Sequence, residues 1–422
     1  MEQIKCLVLT KFRVYSIAVP EVTKDVAKPF RGIVLFQIYI LTLWFNRPVF
    51  DFSGAKIRLE LISVLLLVVF YIKNRVNLKN DSFKSGWFSV LRVSGLAWIT
   101  LSLFTSFYFA PSPFRSLWVV LQIGVGISSM ALLLNVRNKD FLIDLANRAI
   151  FPLLVLYSTT YIFFALSLNS LVLNQVSSSG RLTGFSYESN ILASQAVIWM
   201  GVIYQNRERL TRWKNSTFLL LTIVIIGTGT RAAIFALFLI LTFHLIRLIK
   251  GIRLSGWVIA LLVTTILIFV NSIFTSIVLK TNLGNSFGRT FQVFDTNADT
   301  AQYRLRVFEI AIEDIRQSRD INKIFGNGTN SFAQLNPLDI SKVEEGYLSN
   351  VWLATLYDSG IVGFSLFMLF AYSLYRITRP SGFESVLVLL SIAVCATTTS
   401  MIWFSFLWIS LSFLKVGDKS KK

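Results

Sequence analysis

Residues 216–226, "STFLLLTIVII", run through residues 227–237, "GTGTRAAIFAL", into residues 238–246, "FLILTFHLI". The three runs are membrane-like except for one fully charged side chain, Arg231. A guanidinium at the centre of a membrane helix costs about 2.5–3.5 kcal/mol even on the most lenient scale. Gly227 and Gly229 just before it are helix punctuation. The stretch therefore predicts two short spans, 218–227 and 232–249, with a turn between them and Arg231 at the entrance of the second.

The whole chain fits that frame. Its 422 residues are 54% hydrophobic and only 15% charged, with a mean hydropathy of +0.63, far from an ordinary soluble composition. A bilayer core of roughly 30 Å takes about 20 helical residues to cross. Apolar runs bounded by polar residues, Gly or Pro predict spans at 33–49, 59–72, 87–110, 117–134, 149–168, 191–204, 218–227, 232–249, 257–279, 351–375, 386–396 and 401–414. The fold class read here is an all-α integral membrane protein of about twelve transmembrane helices with one long, partly helical periplasmic loop. The last two runs are separated only by "TTTS", so one long tilted helix there would give eleven. Residues 1–32 read as a cytoplasmic or interfacial extension, because Lys11 and Arg13 break their apolar run and no small-residue cleavage site follows. The divisions are then 1–32, spans within 33–279, a loop subdomain 280–350, spans within 351–414 and a basic tail 415–422.

Orientation follows from Lys and Arg counted loop by loop. Six precede the first span and four lie in the tail, whereas the short loops on the opposite side hold Arg47, Lys56, Arg58, Arg115, Arg181 and Arg231. Both termini are expected in the cytoplasm. The formal charge of +19 is then a basic cytoplasmic face that anionic headgroups attract, with no nucleic acid required. Two cysteines and one histidine make no zinc site, and no P-loop or dinucleotide fingerprint is present. These absences disfavour an ATP-driven pump and predict no metal and no cofactor.

Residues 280–350 form the only long polar stretch, placed outside by this topology. The piece around "YRLRVFEIAIEDIRQ" reads as an amphipathic helix with Tyr303, Phe308, Ile310, Ala311 and Ile315 on one side, ended by the "GNG" turn at residues 326–328. Arg181, Arg231, Arg289, Arg304 and Arg306 all fall on the outer side. Arginine binds phosphate bidentately while keeping its charge, and a helix entrance adds free N–H groups and a positive dipole end. Arg306 and Arg115 fit a snorkelling anchor at least as well.

The stretches "RLTGFSYESNILASQ", "GTGTRAAIFAL", "YRLRVFEIA…IFGNGTNSF" and "SNVWLATLYDSGIVGF" resemble, in order and spacing, the motifs of the O-antigen ligase and polymerase superfamily. That resemblance implies a GT-C-like glycosyltransferase of the bacterial inner membrane, with its active site facing the periplasm. It implies donor and acceptor glycans carried on undecaprenyl pyrophosphate, contact with membrane lipids, a chain-length regulator as a further partner, and a role in polysaccharide biosynthesis. By the same likeness Arg231 and Arg304 hold the pyrophosphate. Arg181, Arg289, Arg306, Glu188, Asn190, Tyr187 and Tyr347 are candidate contacts to pyrophosphate or sugar. Tyr187 and Tyr347 fit an interfacial aromatic belt equally, and Glu188 a counter-ion of Arg181.

One departure separates the branches. The ligase branch typically carries a histidine–asparagine pair about ten residues before an acidic-x-glycine element, and that pair falls on Ser349 and Asn350 here. A serine is no general base near neutral pH, which tilts the expectation toward a polymerase joining lipid-linked repeat units. Glu345 is the candidate base, with Glu344 beside it. His244, thirteen residues beyond Arg231 and about 20 Å along a helix, is too deep to serve the outer face. Arg92 and Glu60 are ionisable groups inside expected spans or near their ends. A transporter whose arginine-lined cavity binds an anion without chemistry is the competing class; it lacks a repeat between the two halves.

Overall fold

Around Arg231 the chain does form two helices, α7 (Lys214–Thr228) and α8 (Arg231–Leu248), with Gly229 in the left-handed conformation between them (φ 59°). The structure, a computed structural model, describes residues 32–52, 55–74, 86–134, 136, 139–166, 168, 175–177, 180–208, 210, 213–248, 299–336, 348–379 and 382–414. Upstream lie α1 (Ile33–Thr42), the strands β1 (Pro48–Phe52) and β2 (Ala55–Arg58), α2 (Leu59–Asn74), α3 (Gly86–Tyr108), α4 (Pro113–Leu134), α5 (Lys139–Ala165) and α6 (Ser189–Asn206). Downstream lie α9 (Asp299–Gln317), α10 (Asp320–Phe325), α11 (Phe332–Leu335), α12 (Val351–Thr378), α13 (Phe383–Ala396), a 3-10 turn (Met401–Trp403) and α14 (Ser405–Ser412).

Four described helices, α3, α4, α5 and α12, are long and apolar enough to cross a membrane. Shorter apolar helices occupy Ile33–Thr42, Lys214–Thr228, Arg231–Phe243 and Glu384–Ala396. The span expected over 257–279, the N-terminal extension and the tail lie outside the described residues.

Three expectations are corrected. The first span does not reach residue 49: α1 ends at Thr42, and Pro48 opens an antiparallel hairpin pairing with Arg58. The residue before a proline is pushed out of the helical region, and Asn46 is buried, donating to Gln195 Oε1 (3.1 Å). The fold is therefore not purely α. The run 401–414 is likewise no membrane-length helix, because α14 has eight residues, about 12 Å of rise against roughly 30 Å of bilayer. The "TTTS" segment breaks the chain there, since Thr397 and Thr398 hydroxyls donate back to Val394 O (2.7 Å) and Cys395 O (3.3 Å) and compete with helix continuation. Finally, Phe308 is 40% exposed, and the inward face of α9 is carried by Val307 and Ala311.

Helix contacts follow membrane-type rules, with small residues admitting large ones. α12 lies along α3, and α14 along α4. A Cβ on Gly95 would meet the Phe370 ring at 3.1 Å, and one on Gly126 would meet Trp408 at 2.1 Å. Every residue of α6 is buried, enclosed by α7, α8, α13 and α14.

Glu60 is the second residue of α2 and completely buried, and it pairs with Arg58 Nε at 3.1 Å. Arg58 also donates to Gln122 Oε1 (2.9 Å) and Trp403 O (2.5 Å), and lies 4.1 Å from the Phe404 ring centroid. Such a pair ties the hairpin to α4 and to the break before α14, because losing either charge strands the other in a low-dielectric interior. Arg92 sits exposed in the second turn of α3.

Candidate functional site

The turn between α7 and α8 is built for a helix start. Gly229 donates its N–H to Ile226 O (3.0 Å), closing α7, and Thr230 precedes the first residue of α8, Arg231. The segment carrying Arg181 packs onto this turn through Leu182 N–H to Gly227 O (2.9 Å).

Arg181 then joins three pieces of chain. Its Nε donates to Thr228 O (2.8 Å), and its Nη2 donates to Asn190 Oδ1 (2.8 Å) and Thr230 Oγ1 (3.0 Å). The Thr230 hydroxyl donates in turn to Asn190 Oδ1 (3.2 Å). Asn190 is in the first turn of α6 and Thr230 directly precedes α8. Two helix N-termini thus meet at one guanidinium, with Arg231 on the adjacent position. Both helices turn unsatisfied N–H groups and positive dipole ends toward this place.

The Arg181 segment is held from behind by residues that the sequence did not single out for the site. Arg47 Nε donates to Ser186 O (3.2 Å) and Nη2 to Thr183 Oγ1 (3.4 Å). Phe45 stacks on Phe185 with ring centroids 4.7 Å apart, and the Tyr157 hydroxyl accepts from Phe185 N–H (3.2 Å). Thr230, a cap-type residue just before a helix, carried a signal that the sequence reading passed over. Arg47, more than a hundred residues away in sequence, gave no such signal.

A second cluster centres on a break in α12. Gly360 has φ 63° and ψ −170° inside that helix, freeing carbonyls of the preceding turn. Tyr357 O accepts from Asn327 N–H (3.0 Å) and Asp358 O from Gly328 N–H (3.0 Å), so the "GNG" loop satisfies them. The buried Asp358 carboxylate accepts from Asn330 N–H (2.9 Å) and from Ser331 N–H. Thr329 N–H reaches Ser106 Oγ of α3 (3.0 Å). Above the loop, Val307, Ala311, Phe332, Leu353 and Tyr357 share one apolar cluster. The Tyr357 hydroxyl donates to Asp314 Oδ2 (3.1 Å), which also takes Asn336 Nδ2 (2.6 Å). Tyr357→Phe is expected to destabilise the detergent-solubilised protein by about 1.5–3 kcal/mol, the range for a hydrogen bond to a charged group; unchanged thermal unfolding would remove this tie from the account.

The candidate residues therefore sort into groups. Arg181 and Asn190 are in direct contact, with Arg231 beside them. Glu188 occupies the cap position of α6 and Tyr187 precedes it, both partly buried. Arg304, half-buried, and Arg306, exposed, lie on α9, whose place is set by α10 and α12. Asn350 caps α12, its Oδ1 accepting from Leu353 N–H (3.0 Å). Arg289, Glu344, Glu345 and Tyr347 lie outside the described residues, as does the side chain of His244. Among the described residues no group of three or more His, Cys, Asp or Glu is arranged to hold a metal ion.

Residues 216–368, which contain the α7–α8 turn, α9 and the break in α12, match the family model described as O-antigen ligase. The match supports the O-antigen ligase and polymerase superfamily. That superfamily indicates a glycosyltransferase-like function in O-antigen ligation or polymerisation, in a membrane protein. The matched region is a little over a third of the chain, and it leaves out the Arg181 segment that the α7–α8 turn holds in place. No curated protein matches the chain.

Proposed function

We propose that the protein polymerises oligosaccharide repeat units carried on undecaprenyl pyrophosphate at the periplasmic face of the bacterial inner membrane. The growing glycan would pass en bloc to the next lipid-linked unit, without metal. The observation that carries this reading is the meeting of the α6 and α8 N-termini at Arg181, with Arg231 alongside. Such a place suits a pyrophosphate, because fixed N–H dipoles and guanidinium groups stabilise charge without reorganising.

In the step itself, an acceptor hydroxyl oxygen bonds to the anomeric carbon of the donor. The carbon–oxygen bond to pyrophosphate breaks, its electron pair leaves with undecaprenyl pyrophosphate, and the hydroxyl proton passes to a base. Arg231 and Arg304 would take the developing phosphate charge, with Arg289 and Arg306 as further contacts. Glu188 is a described carboxylate near the cluster, and Glu345 is the other candidate for the proton. Sugar transfer through an oxocarbenium-like state depends most on leaving-group stabilisation of this kind.

Ligation to a lipid A core or another acceptor is the second reading, favoured by the description of the matched family. Against it stands Ser349 where the ligase branch carries histidine. Purified protein given an extracted lipid-linked repeat unit should produce a glycan ladder on a gel without ATP or added metal. Arg231→Ala should remove the ladder. A ladder that survives in that variant defeats the mechanism, and transfer to lipid A core with no ladder establishes the ligase instead.

A further inference from the structure

A groove between α12, α13 and α14, of about 310 Å³, takes no part in the site above. Phe370, Leu374 and Tyr375 of α12 face Val386, Leu390 and Ala393 of α13 across it. Both sets follow helical spacing, so each helix turns a full apolar stripe to the gap. Leu390 is 48% exposed, and Trp408 of α14 forms part of the floor.

The two ends of the groove differ in charge. Val351 and Trp352 line one end. At the other, the exposed Arg379 places its guanidinium 5.9 Å from the ring centroid of Tyr375. Arg376 lies one turn away over Trp87, 4.9 Å from that ring. The nearby acid, Glu384, is already paired with Arg207 at 3.2 Å. One mouth is therefore cationic. The α13 wall from Val386 to Ala396 rises about 15 Å, half of a roughly 30 Å hydrocarbon core and hence the depth of one leaflet.

We propose that this groove binds an anionic phospholipid, its acyl chain between α12 and α13 and its phosphate on Arg379. Guanidinium suits phosphate geometry, and a single leaflet's depth suits an acyl chain. The groove's lining residues are themselves uncharged, and Arg379 meets the groove through the Tyr375 ring beside it.

Full-length protein in mild detergent, mixed with phosphatidylglycerol or with phosphatidylcholine of the same chains, tests it by native mass spectrometry of retained lipid. Phosphatidylglycerol should be retained preferentially, and Arg379→Gln should cut that preference about fivefold. Ala393→Trp, which fills the groove, should abolish retention of both lipids. Ala393→Leu should reduce it partially, which keeps the test informative if the larger side chain prevents folding. Retention unchanged in both Ala393 variants, or a preference indifferent to Arg379, overturns the proposal. A polyprenyl phosphate probe retained instead and lost in Ala393→Trp but not Arg379→Gln would also overturn it, as would a doubled protein mass showing a second copy on this face.

Discussion

Arg181→Ala is expected to lower glycan transfer by about 10²–10³-fold, the range for removing one preorganised electrostatic element from an active site. The effect is indirect as well as direct. Three hydrogen bonds from this guanidinium, to Thr228 O, Asn190 Oδ1 and Thr230 Oγ1, fix the start of α8 against the start of α6. Without them Arg231 loses its alignment. Arg181→Lys should recover little of the loss, since a single ammonium on a flexible stem cannot reproduce a planar fork reaching three partners. The glycan ladder measures both variants, with gel filtration and far-UV circular dichroism checking that each is folded. Wild-type transfer by Arg181→Lys would show that charge alone suffices, contrary to the geometry.

Gly360→Ala should leave little folded protein. The residue sits at φ 63° and ψ −170°, a region essentially reserved for glycine and costing others about 1–3 kcal/mol. A Cβ there would also lie 2.4 Å from Ile324 O and 2.5 Å from Gly326 N. Neither is a flexible side-chain tip. The combined cost, about 4 kcal/mol or more, exceeds what most single substitutions do. Gly86→Ala supplies the contrast, because nothing lies within 4 Å of its added Cβ and alanine favours a helix. Membrane yield and Tm in detergent compare the two; equal yields would mean that the helix break is adaptable.

Hydropathy made the α7–α8 split legible, because one arginine just after two glycines in an apolar run admits few other conformations. The three segments around Arg181 were named by their motifs, yet their contact was not. Sequence order says nothing about a guanidinium reaching from residue 181 to residues 190, 228 and 230. The break in α12 was hidden for a different reason. Gly360 lay inside the expected span 351–375 and the "GNG" loop read as an ordinary turn, and only the backbone hydrogen bonds from that loop to Tyr357 O and Asp358 O make them one joint. The hairpin after α1 was missed because its apolar residues continue the hydropathy of the helix before it. Phe308 was placed inward by its chemistry, while the smaller Val307 and Ala311 fit the close approach of α9.

The enclosure of α6 bears on how the chain is made. A ribosome delivers this helix, residues 189–206, before any of the four helices that surround it, and two of those, α13 and α14, begin only at Phe383 and Ser405. Gln195 finds Leu43 O and Asn46 upstream, and Asn190 finds Arg181, but until synthesis is nearly over Gln205 must wait in lipid or in the insertion machinery without its final neighbour. Gln205 and Asn206 find partners in Ser385 and Phe413 O, so the interior closes from its C-terminal end. A chain cut short before residue 383 would expose a helix that the finished protein hides entirely, which makes such a fragment a natural target for membrane proteolysis.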